Sequence, residues 1–432
     1  MSLRSIFSRA AFTRFVATVR AEGWRTAAGR TRSFVGRALR GSFGGRRGGD
    51  AAYLDGFWQD MARREGFHVS RPPALLTGRR RIAMIGDLYL PQCRKYRVAQ
   101  PAELWGEVGV DYEFSHYADV PRAVALMQNA THLMFYRTQN DDRMAMYLYE
   151  ARRLRLPVLY DLDDPLFSVS AYETYENMQA LPPAMKAKFL AEAPKYLGAM
   201  NQADILTVST PGMAEHTRLH TARPVHFRRN FADRETLEAG QAARAAAGRD
   251  EGAPFRVGFA SGSMGHEVDF ALIADDIAAF LAAGPGRQLV ILGHFDETLL
   301  PEALRGRVES HAFASYSAYL ETLSTVDCAV MPLTDDAFNR CKSGVRVIDA
   351  AAVSVPSLVG TVSDMASLVR DGGTGRVLAP GDSWRDALEA MAQDRRGTAA
   401  MGQAARADLE TAWSARAGLP VVEQAVIDWV KG

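Results

Sequence analysis

Cysteine is scarce in this chain. Its 432 residues hold three cysteines, Cys93, Cys328 and Cys341, scattered and without metal-ligand spacing. An odd, dispersed set of this kind excludes a disulfide framework and fits a reducing compartment. Long apolar runs are missing too, since no stretch approaches the ~18 residues of a membrane span. The N-terminal sequence has no apolar core with a small-residue cleavage site of the secretory type, so the body of the protein is expected in the cytoplasm. Nor is there an excess of charge: 51 Lys and Arg stand against 50 Asp and Glu, a net +1. That balance excludes a nucleic-acid binder driven by overall charge, and no nucleic-acid partner is expected. What is present is globular in kind, 47% hydrophobic and 23% charged. The length exceeds what one core usually serves, so at least two domains are expected.

The charge is uneven. Residues 1–50 carry eleven arginines against Glu22 and Asp50, and residues 1–75 are set apart as a basic N-terminal extension. At helical spacing Phe12, Phe15, Val16 and Val19 share a face, although Arg14 falls beside Phe7 and Ala10. Such a helix suits the inner face of an anionic membrane, each cation near the surface adding ~1 kcal/mol. The run GRALRGSFGGRRGG (36–49) reads as a flexible tether. A solvated tail, an arm docked on the chain's own catalytic domain and an organelle transit peptide stand beside the membrane reading.

From residue 81 onward short β-rich runs alternate with helical patterns, the signature of parallel sheets. The first half has candidate strands at 81–86, 110–115, 131–136, 157–162, 203–209 and 224–227, with helices near 97–106, 141–154 and 183–201. The second half restarts with strands at 255–260, 288–293, 327–332, 355–360 and 375–380. Its helices fall near 268–283, 316–325, 344–353 and 383–394. The fold class expected is α/β, with two doubly wound Rossmann-like domains at 76–232 and 254–410. The strand-free stretch 233–253 is the expected linker. Residues 411–432 are expected to form a helix packing back on the first domain. Ligands of such sheets bind at the carboxyl ends of the strands, here around one shared cleft.

Four segments can carry chemistry there. FNRCKSGVRVID (338–349) is a polar turn that feeds a helix. Helix N-termini offer N–H groups and a positive dipole end to phosphate; Lys342 and Ser343 lie at that opening and Arg346 one turn on. Asp349, deeper in the helix, suits a ribose hydroxyl, and the set together suits a sugar nucleotide. A capped helix packed on a sheet explains any one of these residues alone. GFASGSMGHEVDF (258–270) places Gly262 and Gly265 around a turn that lets backbone approach phosphate closely. His266 and Asp269 can orient a phosphate or sugar there, or cap the helix. GDLYLPQCRKYR (86–97) follows the first strand with Arg94, Lys95 and Arg97, facing the cleft or simply solvated. YDLDDPLF (160–167) ends the fourth strand with Asp161, Asp163 and Asp164. Unpaired acids at a strand end are costly without a use, which points to a divalent metal or an acid/base role, though the spacing is not that of a dedicated metal cage and Asp164 can also serve as a cap.

Taken together, residues 80–430 resemble the retaining glycosyltransferases of family 4, whose architecture is GT-B. The resemblance is carried by NRCKSGVRVIDAAAVSVPSLVG, by RDGGTGRVLAPGD (370–382) and by the closing MGQAARADLETAWSA. YDLDDPLF and CRKYRVAQPAELW look like a bacterial subgroup that builds cell-surface polysaccharides. The resemblance implies transfer of a sugar from a nucleotide diphosphate sugar to a glycan or lipid-linked acceptor, with retention, without metal and without any cofactor. It places donor binding at Gly262, Ser263, Asn339, Lys342, Ser343, Gly344, Arg346 and Asp349. Asp349 matches the ribose-binding second acid of the family's E-x7-E pattern, and Asn230 closes the first domain. Catalytic roles are expected at His266, Lys342, Asp349, Asp163 and Asp164, and acceptor-side roles at Gly86, Arg94, Tyr96, Arg97 and Asp161. Departures accompany the match. Cys341 stands where the first acid of E-x7-E belongs, and no arginine follows Gly262, His266 being the nearest candidate. A catalytically degenerate GT-B protein that binds glycan or a partner is the second reading, and a GT-B epimerase or phosphorylase the third.

Overall fold

In the computed structural model the chain divides into two compact units, Met1–Asp60 and Met61–Gly432. The described residues are 78–88, 91–248, 252–262, 265–300, 302–304, 306–417 and 421–432, with a few isolated positions between 16 and 32. Phe12 and Phe15 of the amphipathic face and the Gly/Arg tether of the basic extension lie outside them, while Val16 and Val19 are helical and half-buried.

Among the described residues twelve strands form two sheets, both within the larger unit. β1 (Arg81–Gly86), β2 (Asp111–His116), β3 (His132–Tyr136), β4 (Val158–Leu162), β5 (Ile205–Val208) and β6 (Val225–Phe227) make the first. β7 (Phe255–Gly262), β8 (Arg287–Gly293), β9 (Val308–His311), β10 (Cys328–Met331), β11 (Ser357–Gly360) and β12 (Gly375–Leu378) make the second. All pairings are parallel, in the orders β2-β1-β3-β4-β5-β6 and β12-β11-β10-β7-β8-β9. The central strands read HLMFY, VLYDL and CAVM because parallel strands covered by helices on both faces need apolar side chains in both directions; every residue of these three is buried. Strand order reverses between β1 and β3 in the first sheet and between β7 and β10 in the second. These two switch points are where crevices open.

One strand went unread. β9, with the sequence VESH, is short, polar and half-exposed at the sheet edge, so it shows neither an apolar run nor strict alternation. Helices Val120–Gln128, Val169–Thr174 and Pro211–Arg218 were also not marked. The strand-free stretch after Asn230 contains a helix, Arg234–Ala246. Its Ala, Arg and Glu content favours helix, and Asp233 caps it by accepting from the Thr236 amide at 2.8 Å. This helix lies tightly on the second domain: a Cβ at Gly240 would stand 2.4 Å from the Ala352 carbonyl oxygen.

The chain's last helix, Gln424–Lys431, buries Val426, Ile427 and Val430 with Val421 and Val422 in one core with Ile82, Met84, Leu159 and Ile205 of the first sheet and Trp105 of the helix Gln100–Glu107. The polypeptide thus crosses between the domains twice. The crossings touch, Arg228 bridging antiparallel to Val422 and Ala232 parallel to Ser414.

Trp105 is fully buried in that shared core. Trp105→Ala should remove about 3–5 kcal/mol of stability, read as a lowered urea midpoint.

Candidate functional site

On the second domain the site grows from the loop after β10. Asp336 starts a helical turn, Ala337–Arg340, by accepting from the Asn339 amide at 2.8 Å. The Asn339 side chain is wholly buried and donates to the Thr334 carbonyl at 3.0 Å and to Asp336 Oδ2 at 2.8 Å. Asn339, expected among the donor ligands, is therefore committed to holding this turn together. Cys341 is buried, and its thiol points to the Ala337 carbonyl at 3.3 Å. Burial pushes that thiol up to about 12, so it is neutral and turned inward.

The next residues face the cleft. The helix Val345–Ala352 begins at Gly344 with no side chain capping it. Lys342 precedes that end, and burial lowers its ammonium to about 8. Arg346 donates to the Ala260 carbonyl at the end of β7 at 3.3 Å. Two cations and an uncapped dipole end therefore converge at the β7/β10 switch point. Asp349, further along, is buried and accepts from the Tyr316 hydroxyl at 2.7 Å. Burial raises its carboxyl to about 7.

Across the switch point, Asp269 is fully buried and its bonds tie three segments. Oδ1 accepts from the Thr334 amide at 3.1 Å and the Thr334 hydroxyl at 3.0 Å. Oδ2 accepts from Asn177 of the first domain at 2.8 Å and meets His266 Nδ1 at 2.7 Å. Burial, then the nearby Lys342, lowers the His266 imidazole to about 4. Neither residue caps a helix with its side chain: His266 is the N-cap of Glu267–Ala271 and makes no capping bond. Gly262 ends β7 in register with Gly293, after a bulge. Gly265 has φ +98°, and a Cβ there would stand 3.0 Å from the Asn177 carbonyl oxygen, so glycine permits both the turn and the approach of the first domain. Ser263 lies outside the described residues.

On the first domain the three acids of YDLDDPLF are paired, which corrects the expectation of unpaired carboxylates. Asp161 is held by Thr207 at 2.6 Å, Arg228 at 3.1 Å and Arg97 at 3.3 Å, with all four side chains buried. Arg97 and Asp161 thus lie beneath the cleft surface. Asp163 takes Arg137 at 2.6 Å and the Tyr136 hydroxyl at 2.9 Å, and Asp164 also pairs with Arg137. The two carboxyls titrate apart: the arginines hold Asp163 below the usual range, whereas burial and Asp163 hold Asp164 above it. Arg137 escaped the sequence reading. It sits just past β3 at the switch point, at φ 50°, a backbone region costly for a non-glycine residue and found at sites that neighbouring structure enforces. Gly86 ends β1, where a Cβ would meet Met84 Sδ at 3.0 Å. Arg94 is exposed. Tyr96 is drawn away from the first domain's acids to the neighbourhood of Asp349 and Tyr319. Among the described residues no three His, Cys, Asp or Glu side chains are grouped to hold a metal ion.

The first domain closes directly on the phosphate-type turn. Lys342 Nζ donates to the Tyr175 hydroxyl at 2.9 Å, and the Tyr175 ring stacks on Phe338 at 4.2 Å between centroids. Thr210 donates to the Cys341 carbonyl at 3.0 Å and Asn230 to the Ser343 hydroxyl at 3.1 Å. Arg229 holds Asp364 with two bonds, at 2.8 and 3.0 Å. Tyr175 was not predicted. Its partners lie 163 and 167 residues away, and no local pattern marks it.

Two doubly wound Rossmann-like domains facing one cleft constitute the GT-B fold. No protein-family model matches the chain, and no curated protein matches it in sequence. Solved structures do match. HepE of Anabaena in complex with UDP aligns at 14% identity with a TM-score of 0.52, over 81% of this chain and 99% of that one. Sucrose-phosphate synthase from Thermosynechococcus elongatus aligns at 15% and 0.52, over 78% and 96% of the two chains. WaaG, a glycosyltransferase involved in lipopolysaccharide biosynthesis, aligns at 13% and 0.51, over 81% and 100%. At such identities the likeness is one of fold.

Asp161 compensates two buried arginines. Asp161→Asn should cost about 3–5 kcal/mol, seen as a fall in the thermal midpoint, while a variant at exposed Arg94 should leave it unchanged.

Proposed function

We propose that the protein is a retaining glycosyltransferase of the family 4 type, moving a sugar from a nucleotide diphosphate sugar to a hydroxyl of a bacterial cell-surface glycan or lipid-linked acceptor. The observation that carries this reading is the convergence of Lys342, Arg346 and the uncapped helix N-terminus on one point of the cleft. Asp349 supports it, lying within the same helix. HepE, similar in fold, has been solved with UDP and with UDP-glucose, and a diphosphate suits this set of groups.

The chemistry follows from charge. As the bond between the anomeric carbon and the diphosphate oxygen breaks, negative charge grows on the leaving group. Two fixed cations and a helix dipole in a half-buried site stabilise that charge without having to reorganise. No metal is needed in this scheme. No side chain is assigned as a nucleophile, and Asp163 and Asp164, tied to Arg137, shape the acceptor side. Closure of the first domain over the turn keeps water from the donor. Contact with the inner face of an anionic membrane through residues 1–50 belongs to the proposal, supported by the eleven arginines there.

A second reading, a GT-B protein without turnover, is favoured by one observation: Cys341 is turned inward, so that position gives the sugar no acid.

Release of nucleoside diphosphate from a panel of sugar nucleotides decides between the two. Turnover that survives EDTA and falls about 10²–10³-fold in Lys342→Ala is expected. No turnover with any donor leaves the second reading. The Lys342 ammonium is charged below about 8 and loses its proton above it, so activity should fall as pH rises through that value. Lys342→Arg should move that limb upward.

Deleting residues 1–50 should shift the protein from anionic liposomes to the supernatant at moderate salt. Unchanged sedimentation would remove the membrane contact from the proposal.

A further inference from the structure

Cys341 and His266 lie on either side of the switch point, and each departs from the resembling family's pattern. The cysteine has no acid to offer, and its thiol is spent on the Ala337 carbonyl. The histidine stands nearest to where a diphosphate-binding cation is wanted. The structure argues against the cationic role and for another.

Asp269 fixes the histidine's state. Both its oxygens are occupied by donors: the Thr334 amide and hydroxyl on Oδ1, the Asn177 amide on Oδ2. Burial opposes the charge on Asp269, but the bond from His266 and the nearby Lys342 hold its carboxyl well below the ordinary range. An ionised, fully buried carboxylate can only accept, so the 2.7 Å contact with His266 Nδ1 must be donated by the imidazole. In the neutral ring the lone pair then sits on Nε2. That atom meets no hydrogen-bond partner among the described residues. Lys342 and Arg346 both disfavour a third positive charge at this place, and burial acts the same way. The backbone that carries the ring is fixed as well: His266 begins its helix directly after Gly265, and Gly265 is pressed against the Asn177 backbone.

We infer that His266 reads the donor sugar, its Nε2 accepting a hydrogen bond from a sugar hydroxyl and supplying the acceptor that Cys341 does not. Asp269 is the positioning residue that locks the tautomer, and Asn177 makes that lock depend on the first domain being closed. The inference rests on the proposed donor site and deepens it. It makes His266 a specificity-determining residue for the sugar and leaves the diphosphate to Lys342 and Arg346.

The test compares two dissociation constants by calorimetry on the full chain. One ligand is a nucleoside diphosphate (UDP, GDP or ADP, whichever the wild type binds) and the other is its glucose conjugate. His266→Phe should weaken the sugar nucleotide about tenfold and leave the bare diphosphate within twofold. His266→Gln keeps an acceptor oxygen near the same place and should recover most of that loss; it also serves if the Phe variant fails to fold. The affinity for the glucose conjugate, whose diphosphate has no group titrating in this range, should be flat between pH 6 and 7, because the imidazole is already neutral there. Equal weakening of both ligands, or a wild-type affinity for the glucose conjugate that falls as pH rises from 6 to 7, makes His266 a phosphate cation and overturns the inference while the donor site stands. Unchanged binding of both ligands in His266→Phe overturns it as well. A wild-type chain that binds no diphosphate and no sugar nucleotide removes the donor site, and the inference with it.

Discussion

Asp161 between Arg97 and Arg228 is the contact on which the remaining geometry leans. Its carboxylate ends β4, the centre of the first sheet, and is fully buried. An isolated charge there is prohibitive, so guanidinium groups from both sides must reach it. Arg97 reaches it from the irregular turn that enters the helix Gln100–Glu107, and Arg228 from the chain leaving β6. Arg228 is also where the first crossing meets Val422 of the second. One buried charge thus fixes the first domain's switch-point turn and the start of the chain's passage to the other domain. The neighbours follow from that placement. Arg229 reaches Asp364, Asn230 reaches Ser343, and Asp233 caps the helix that lies on the second sheet.

The second domain solves the opposite problem. Its site gathers cations, Lys342 and Arg346, and desolvation lowers the proton affinity of both. Cations kept half-buried with few partners store electrostatic free energy that an anionic ligand releases. Compensation of the Lys342 charge comes from a distance, through Asp269, Asp164 and Asp336. The single bond of Lys342 to a phenol is weak beside one to a phosphate oxygen. The positive charge gathered there is what the proposed diphosphate donor would offset.

What the sequence showed was what is local. Eleven of the twelve strands could be marked because burial on both faces demands an apolar run, and β9 escaped because an edge strand escapes that demand. Lys342, Arg346 and Asp349 were found because a glycine turn, a helix start and a helical spacing sit within twelve residues. Pairings over long separations were not legible. Asp161, Asp163 and Asp164 looked unpaired because Arg97, Arg137 and Arg228 stand far from YDLDDPLF in the chain. Arg137 had no motif around it, and Tyr175 none either. Asn339 looked like a ligand by adjacency, and only the three-dimensional turn shows it spent on Thr334 and Asp336. His266 was visible as a residue, but its protonation is a property of its burial, of Lys342 and Arg346 around the start of another helix, and of Asp269.

The contacts across the cleft add a constraint that neither domain carries alone. Tyr175 occupies Lys342, Thr210 holds the Cys341 carbonyl, and Asn177 completes Asp269. All three come from the first domain and land on or beside the phosphate-type turn. Closure and site assembly are therefore one event, since opening the cleft removes a partner from each element of the second domain's site. The Tyr175 hydroxyl has a further consequence. It lies within hydrogen-bond distance of the Lys342 ammonium, and its ring is pinned on Phe338. Under the proposed function a donor must take Lys342 from Tyr175 or share it. Only an anion exchanges favourably with a neutral phenol at a desolvated cation, so the contact that joins the two domains also selects for charge in what displaces it.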